Sequence, residues 1–254
     1  MKATDAIAAS QILGIGVAQV TVEQFIEHVA AAARERRRWH VCYVNAANFN
    51  LAASNNRYAE VLRSANLVYA DGQSVVWASR YLGSPLPERV NAGDFFDRFC
   101  EACARQQLAL YFLGSPPGVA QQAAQNLVAR IGNLRILGAR DGYFDPALSG
   151  AIVAEINHLA PEILVVGMGA PRQEFWVAEH LDRLNVGVTW CVGALFEYVA
   201  GATRRAPVWM RKAGLEWAFR LVLEPRRLWR RYLVGNWLFL WRVWHSTRAR
   251  AKEP

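Results

Sequence analysis

One carboxylate, a few amides and a cluster of guanidinium groups are the parts of this 254-residue chain whose types and spacing point to chemistry. Ligands of open α/β sheets bind beyond the carboxyl ends of the strands, and polar residues gather just there, behind short apolar runs. The first such run delivers Asn45 and Asn48 in NAAN, and the second delivers Asp71 in ADGQ. A later one delivers Gly169, Pro171, Gln173 and Glu174 in GMGAPRQE, and the last delivers Gly193, Phe196 and Glu197 in VGALFEY. The loop PERVNAGDFF adds Arg89 and Asp94. Glycine turns and amides at strand ends suit a polar, phosphorylated ligand. A carboxylate there can take a proton from a hydroxyl within hydrogen-bond reach. Asp71 is the first choice for that base, with Glu197 and Asp94 behind it.

Each signal also has a purely structural reading. Asp71-Gly72 forms an ordinary strand-to-helix turn, and Asn45 and Asn48 suit the cap of the helix that follows. Gln173 and Glu174 fit a solvated first turn. Gly167-x-Gly169 is part of a dinucleotide fingerprint, but Pro171 and Arg172 replace the rest of the pattern. Their joint placement at one sheet edge is what lifts them above these readings.

The guanidinium groups lie in one segment. Residues 201–254 hold 13 basic and 3 acidic side chains, against 16 and 18 in residues 1–200. The whole excess of positive charge, +8, therefore belongs to this terminal segment, with six of the ten tryptophans. Arg220 and Arg227 are separated by the Pro225 break, and Arg226 and Arg230 are one helical turn apart. Such groups bind diphosphate oxygens in forked, charge-assisted pairs. The chain contains no D-x-D motif of the kind that holds a divalent metal on a diphosphate. Glu216 and Glu224 each lie four residues from Arg220, so paired surface charge is the structural alternative. Trp229, Leu233, Trp237, Trp241 and Trp244 recur at helical spacing. They read either as a packed stripe or as an interfacial helix on anionic lipid.

Positioning these groups requires an α/β body. Six β-branched or aromatic runs (41–46, 65–70, 108–114, 134–140, 162–169 and 188–194) alternate with helical stretches over 49–63, 73–82, 94–107, 117–131, 147–159 and 172–184. That alternation predicts a Rossmann-like, mostly parallel sheet with flanking helices. One domain is expected over 1–200. A helical appendage is expected over 201–254, built of two helices with Pro207 and Pro225 in first turns. The apolar run from Tyr232 to Trp241 is too short to span a bilayer, and no secretory pattern precedes the first apolar stretch. Cytoplasmic placement follows as the expectation. The four cysteines do not form a secreted framework, and Cys100-x-x-Cys103 reads as the core face of a helix. The five scattered histidines read as structural.

In order, the blocks NAANFN, ANLVYADGQSVVWASR, PERVNAGDFF, YFLGSPPGVA, ILVVGMGAPRQE, CVGALFEYVAGATRRAPVWMRKAGLEWAFRL and EPRRLWRRYL resemble the WecG/TagA/CpsF family of bacterial glycosyltransferases. The resemblance runs from about Ile12 to Trp244 and is most specific in G-A-x-F-[DE]-x-x-A-G, R-A-P, G-L-E-W and E-P-R-R. It implies transfer of a sugar, N-acetylmannosamine-type or a related hexose, from a UDP-sugar to an undecaprenyl-diphosphate-linked saccharide in surface polysaccharide synthesis. It also implies inversion at the anomeric carbon and a peripheral place on the inner face of the plasma membrane. Residue by residue, it makes Asp71 the catalytic base and assigns substrate contacts to Asn45, Arg89 and Gln173. It further implies that Arg220, Arg227 and Arg230 close over the active site. Asn48 and Glu197 join the substrate-binding set by their place at the strand ends. Tyr43 stands where the family often has a small hydroxyl residue, and Glu197 where it commonly has Asp. Both departures bear on the donor sugar.

No cofactor or metal is expected, and self-association is left open. The competing readings are a nucleic-acid-binding protein with an Arg/Trp tail and a Rossmann enzyme that modifies nucleotide-sugars. The first leaves Asp71 and Gln173 without a role, so no nucleic-acid partner is expected. The second lacks G-x-G-x-x-G on its first strand.

Overall fold

The computed structural model describes residues 7–212 and 214–250, except the side chains of Lys212, Arg227, Ala249 and Arg250. Eight strands are described: β1 (Ala9–Ile12), β2 (Ile15–Ala18), β3 (Trp39–Val44), β4 (Leu67–Ala70), β5 (Ala109–Gly114), β6 (Arg135–Arg140), β7 (Ile163–Gly167) and β8 (Val188–Cys191). The body helices are α1 (Val22–Arg34), α2 (Ala46–Ser54), α3 (Asn56–Ser64), α4 (Gln73–Tyr81), α5 (Ala92–Arg105), α6 (Val119–Arg130), α7 (Ser149–Leu159), α8 (Arg172–His180) and α9 (Leu195–Val199). Strands β3 to β8 form one six-stranded sheet in the order β4-β3-β8-β7-β5-β6, with every neighbouring pair parallel. A strand that must be covered on both faces reads as a continuous apolar run, as β5 and β7 do: every residue in both is buried.

Alternation along the strands divides the core in two. Val41, Tyr69, Phe112, Val165 and Trp190 pack on one face with α1, α5, α6 and α9. Cys42, Val68, Leu113, Val166 and Cys191 pack on the other with α2, α3, α4, α7 and α8. The expected α/β class and all six expected strands are present.

Three features differ from expectation. A hairpin, β1–β2, precedes the body, closed by Leu13 and Gly14, both at positive φ as a two-residue turn of this hand demands. Helix α1 was not expected, yet its start is written locally. Thr21 Oγ1 accepts from Gln24 N at 3.2 Å and Gln24 Oε1 accepts from Thr21 N at 2.9 Å, a reciprocal capping box. The single helix expected over 49–63 is two, because Asn55 is extended and its side chain caps α3 by accepting from Tyr58 N at 3.0 Å.

Beyond residue 200 the described chain holds four helices where two were expected: α10 (Val208–Lys212), α11 (Glu216–Leu223), α12 (Pro225–Trp229) and α13 (Gly235–Arg250). Gly214, at positive φ, separates the first two, and Pro225 opens α12 at its first turn. Arg230–Val234 is a π-helical stretch joining α12 to α13. The segment is fastened to the body twice. Near its start, Arg205 pairs with Glu216 at 3.0 Å and donates to the Gly93 carbonyl at 2.5 Å. Asp94 meets Arg89 at 2.5 Å and Arg211 at 2.6 Å. At its far end, α13 lies on α2: the Phe49 and Phe239 ring centroids are 5.2 Å apart, and Asn50 Nδ2 donates to the Gly235 carbonyl at 2.7 Å.

Candidate active site

A cleft of about 590 Å³ opens at the carboxyl ends of the sheet, between the body and the basic segment. One wall comes from the strand ends: Tyr43 and Asn45 after β3, Asp71 after β4, Gly167 and Gly169 after β7, and Gly193 and Glu197 after β8. The other comes from the appendage: Glu216, Trp217, Arg220, Arg231, Tyr232 and Asn236.

Asp71 extends β4 by one residue, its N–H donating to the Val44 carbonyl at 2.9 Å. Its Oδ1 accepts from Asn91 Nδ2 at 2.9 Å, and Asn91 Oδ1 in turn accepts from Arg205 at 3.4 Å. A guanidinium on the carbonyl end of the Asn91 amide fixes which end faces Asp71. Burial pushes the Asp71 carboxyl up to about 6, against the opposing pull of Arg89, the Asn45 amide and Arg231. A carboxylate poised in that range is suited to take a proton near neutrality.

The amides around it are largely committed to structure. Asn45 caps α2, accepting from Ala47 N at 3.0 Å and Asn48 N at 3.3 Å. Asn48 returns the bond, its Oδ1 accepting from Asn45 N at 3.1 Å, and its Nδ2 donates to the Tyr58 hydroxyl at 2.7 Å. Asn45 still borders the cleft with its body, whereas both ends of the Asn48 amide are in use. Gln173 is fully buried behind the cleft wall and does not line it. Its Oε1 accepts from Gly169 N at 3.2 Å and from Gly193 N at 3.0 Å, joining the loops after β7 and β8. Gly193 has no room for a side chain: it lies at positive φ, and a Cβ there would meet the Tyr43 hydroxyl at 2.6 Å. Neither Gln173 nor Glu174 is the solvated first-turn residue their position allowed; both are buried.

Arg89 borders the cleft but is drawn into the ion-pair seam by Asp94 and, at 3.6 Å, by Glu216. Asp94 is likewise occupied by Arg89, Arg205 and Arg211. Glu197 lines the cleft from the first turn of α9. Arg220 lies 5.6 Å from the Tyr198 ring centre and faces the cleft. Burial works against its charge, but the phenols of Tyr232 and Tyr198, with Glu216 and Glu224, hold Arg220 above its ordinary value. Among the described residues Arg220 has no ion-pair partner within contact distance, and neither has Arg231. The side chain of Arg227 lies outside the described residues. Arg230 is exposed, packs over Trp229 at 5.3 Å and does not line the cleft; its neighbour Arg231 does. Both residues open the π-helical stretch that follows α12, whose i→i+5 pattern is seen in the Gly235 N–H reaching the Arg230 carbonyl.

Sequence reasoning thus missed Asn91, Arg205 and Arg231. Asn91 stood inside the quoted block PERVNAGDFF, and Arg205 inside R-A-P, but their mutual contact spans 114 positions and had no local signal. The tryptophan stripe does not pack on the body. Trp237 and Trp241 are 75% and 55% exposed, while Phe239 and Val243, on the opposite face of α13, are buried. No described helix is long and apolar enough to cross a membrane.

The two cysteine pairs differ. Cys100 and Cys103 lie buried in the α5 core face, and burial pushes both thiols up, as the core reading expected. Cys42 and Cys191, on adjacent strands, are also buried but share a neighbour, His40, whose Nε2 is 3.2 Å from Cys42 Sγ and 3.6 Å from Cys191 Sγ. Burial alone would raise Cys42; the Cys191 hydrogen bond and the imidazole outweigh it and hold that thiol below its ordinary value, while burial pushes its partner Cys191 up.

A buried carboxylate and two cations share a cleft at the sheet's carboxyl edge, an arrangement suited to group transfer. Residues 10–253 match the model of the Glycosyl transferase WecG/TagA/CpsF family, and the chain belongs to that family. It is therefore a glycosyltransferase. It is 29% identical, over 243 residues, to the N-acetylglucosaminyldiphosphoundecaprenol N-acetyl-beta-D-mannosaminyltransferase of Staphylococcus aureus strain NCTC 8325, covering 95% of this chain and 94% of that one. The same figures hold for the enzymes of strains COL and MSSA476.

Proposed function

We propose that this protein transfers an N-acetylmannosamine-type hexose from a UDP-sugar to an undecaprenyl-diphosphate-linked saccharide, inverting the anomeric carbon and requiring no metal for the step. The reading rests on one juxtaposition: Asp71, with its carboxyl raised to about 6, shares a cleft with Arg220 and Arg231. In the transfer, Asp71 takes the proton of the acceptor hydroxyl as its oxygen attacks the anomeric carbon. The bond to the donor's β-phosphate oxygen breaks, and UDP leaves with the electron pair. The charge that develops on the diphosphate is met by the guanidinium groups of Arg220 and Arg231, which act as fixed countercharges. Arg227 keeps the similar role that the family resemblance gives it. The relatives' printed activity supports the N-acetylmannosamine donor and the N-acetylglucosamine acceptor.

The acceptor's polyprenyl chain stays in the bilayer, and the exposed tryptophans of α13 with nearby arginines fit a helix lying on an anionic inner-leaflet surface. In this reading the appendage is both active-site wall and membrane contact. The test is a panel of UDP-hexoses with a short-chain prenyl-diphosphate-linked N-acetylglucosamine, with and without EDTA, products read by mass spectrometry and anomeric coupling. We expect β-linked disaccharide from UDP-N-acetylmannosamine, at the same rate in EDTA. Turnover with no UDP-sugar overturns the donor assignment, and strict dependence on Mg²⁺ or Mn²⁺ overturns the metal-free one.

A further inference from the structure

Behind the cleft, in the sheet interior, lies a set of groups that the transfer reaction does not use. His40 and Cys42 are two apart on β3, so their side chains leave the same face. The β3–β8 register pairs His40 with Thr189 and Val41 with Trp190, which brings Cys191 beside Cys42 on that face. All three are buried, at 2%, 0% and 0% exposure. His40 Nε2 is 3.2 Å from one sulfur and 3.6 Å from the other, and the three donor atoms lie within 4.8 Å of one another.

Those separations have a meaning. A tetrahedral zinc ion with bonds of about 2.0–2.1 Å to imidazole nitrogen and about 2.3 Å to thiolate sulfur places neighbouring N and S donors about 3.5 Å apart. The observed 3.2 and 3.6 Å bracket that edge. On the same side of the sheet Glu174, fully buried on α8, has an Oε2 with no hydrogen-bond partner, but its carboxylate is not one of the three mutually close donors.

We infer that His40, Cys42 and Cys191 form a buried structural site for one thiophilic divalent cation of the zinc class. Two thiolates and an imidazole select such a cation over calcium or magnesium, and two thiolates cancel its double charge, which a monovalent soft ion would not achieve in an apolar core. Binding releases the two thiol protons, and because the site is closed to solvent it is filled as the chain folds. Its position gives it work: β3 runs on to Tyr43 and Asn45, and β8 to Gly193 and Glu197. A cation there ties together two of the strands whose ends form the wall. It does not touch the cleft, and the inference is independent of the donor, acceptor and metal-free transfer proposed above.

The experiment uses the full chain, purified without a metal-affinity step, unfolded in chelator and refolded with Zn²⁺ or with Co²⁺. Metal surviving gel filtration is measured by mass spectrometry, and the cobalt form by its thiolate-to-cobalt charge-transfer absorption. We expect one equivalent of zinc and a strong charge-transfer band. In Cys42→Ala and Cys191→Ala, affinity should fall at least 10- to 100-fold, the scale on which even indirect support of a ligand matters, while Cys100→Ala/Cys103→Ala retains the metal. Should the cysteine variants fail to fold, the wild-type cobalt spectrum and His40→Gln decide. Absence of bound zinc and of the charge-transfer band in refolded wild type overturns the inference. So does a Cys42–Cys191 disulfide in the native chain, seen as the loss of two hydrogen masses.

Discussion

The two walls of the cleft are built on opposite principles. On the strand-end wall the side chains around Asp71 are held by hydrogen bonds: Asn45 and Asn48 bond each other across the first turn of α2, Asn91 holds Asp71, and behind the wall Gln173 braces two glycine loops. On the appendage wall, α11 has no buried residue at all, and Arg220 and Arg231 face the cleft against aromatic rings. A wall locked by hydrogen bonds can hold a reacting group within the tolerance that proton transfer needs. A wall of long guanidinium arms suits the spread charge of a diphosphate, whose oxygens need countercharge more than fixed geometry. In the proposed reaction the chemical step falls to the body and the binding of the leaving group to the appendage.

Kinetics can break that division or sharpen it. The largest effect belongs to Asp71→Asn, which should lower kcat by about 10²–10⁴-fold, the range for a general base, with UDP affinity by calorimetry nearly unchanged. Full turnover would remove Asp71 as the base. Next come Arg220→Ala and Arg231→Ala. Each removes a charge-assisted contact of about 1.5–3 kcal/mol, so UDP should bind about 10- to 100-fold more weakly, whereas Arg230→Ala should leave it alone. Equal losses at 230 and 231 would mean that Arg231 is not the cleft-facing arginine of the two. A third effect is pH dependence. The Asp71 carboxyl is raised to about 6, so its base form is lost as pH falls through that value. The rate should decline about tenfold per pH unit below it and stay level above it, with KM for the nucleotide-sugar unchanged because guanidinium groups do not titrate there. The smallest is a few-fold loss of partitioning onto anionic liposomes for Trp237→Ser/Trp241→Ser, measured by co-sedimentation. The turnover of a short-chain acceptor should be retained. Unaltered partitioning would detach the tryptophans from the membrane reading.

The body was legible in the sequence because its signals are short-ranged. A strand covered on both faces needs an unbroken apolar run, as in β5 and β7, and each of the six expected runs, the edge strand β6 with its two arginines included, is a strand of the sheet. Asp71, Asn45 and Glu197 were visible for the same reason: each sits a residue or a few beyond a strand, where the topology alone decides that it meets the cleft. Less legible was anything set by partners distant in sequence. Gln173 looked like a ligand contact, but its oxygen serves two backbone N–H groups, one of them 20 positions on. Asn91 becomes part of the site only because Arg205 turns its amide. In the appendage the resemblance pointed to Arg230, whereas the arginine that borders the cleft is its neighbour Arg231. The His40–Cys42–Cys191 group shows the limit most plainly, since 149 positions separate the two cysteines in sequence and strand register alone brings them together.

The basic segment begins at a ring of ion pairs around Asp94 and Glu216 and returns to the body where Phe239 meets Phe49. It is therefore a bridge with two abutments, and Arg220 and Arg231 ride on the span between them, where Leu228 is buried and Arg220 rests on Tyr198 of the body. A door on one hinge swings clear; a span held at both feet is restrained at each end. Salt loosens one footing and leaves the aromatic one standing.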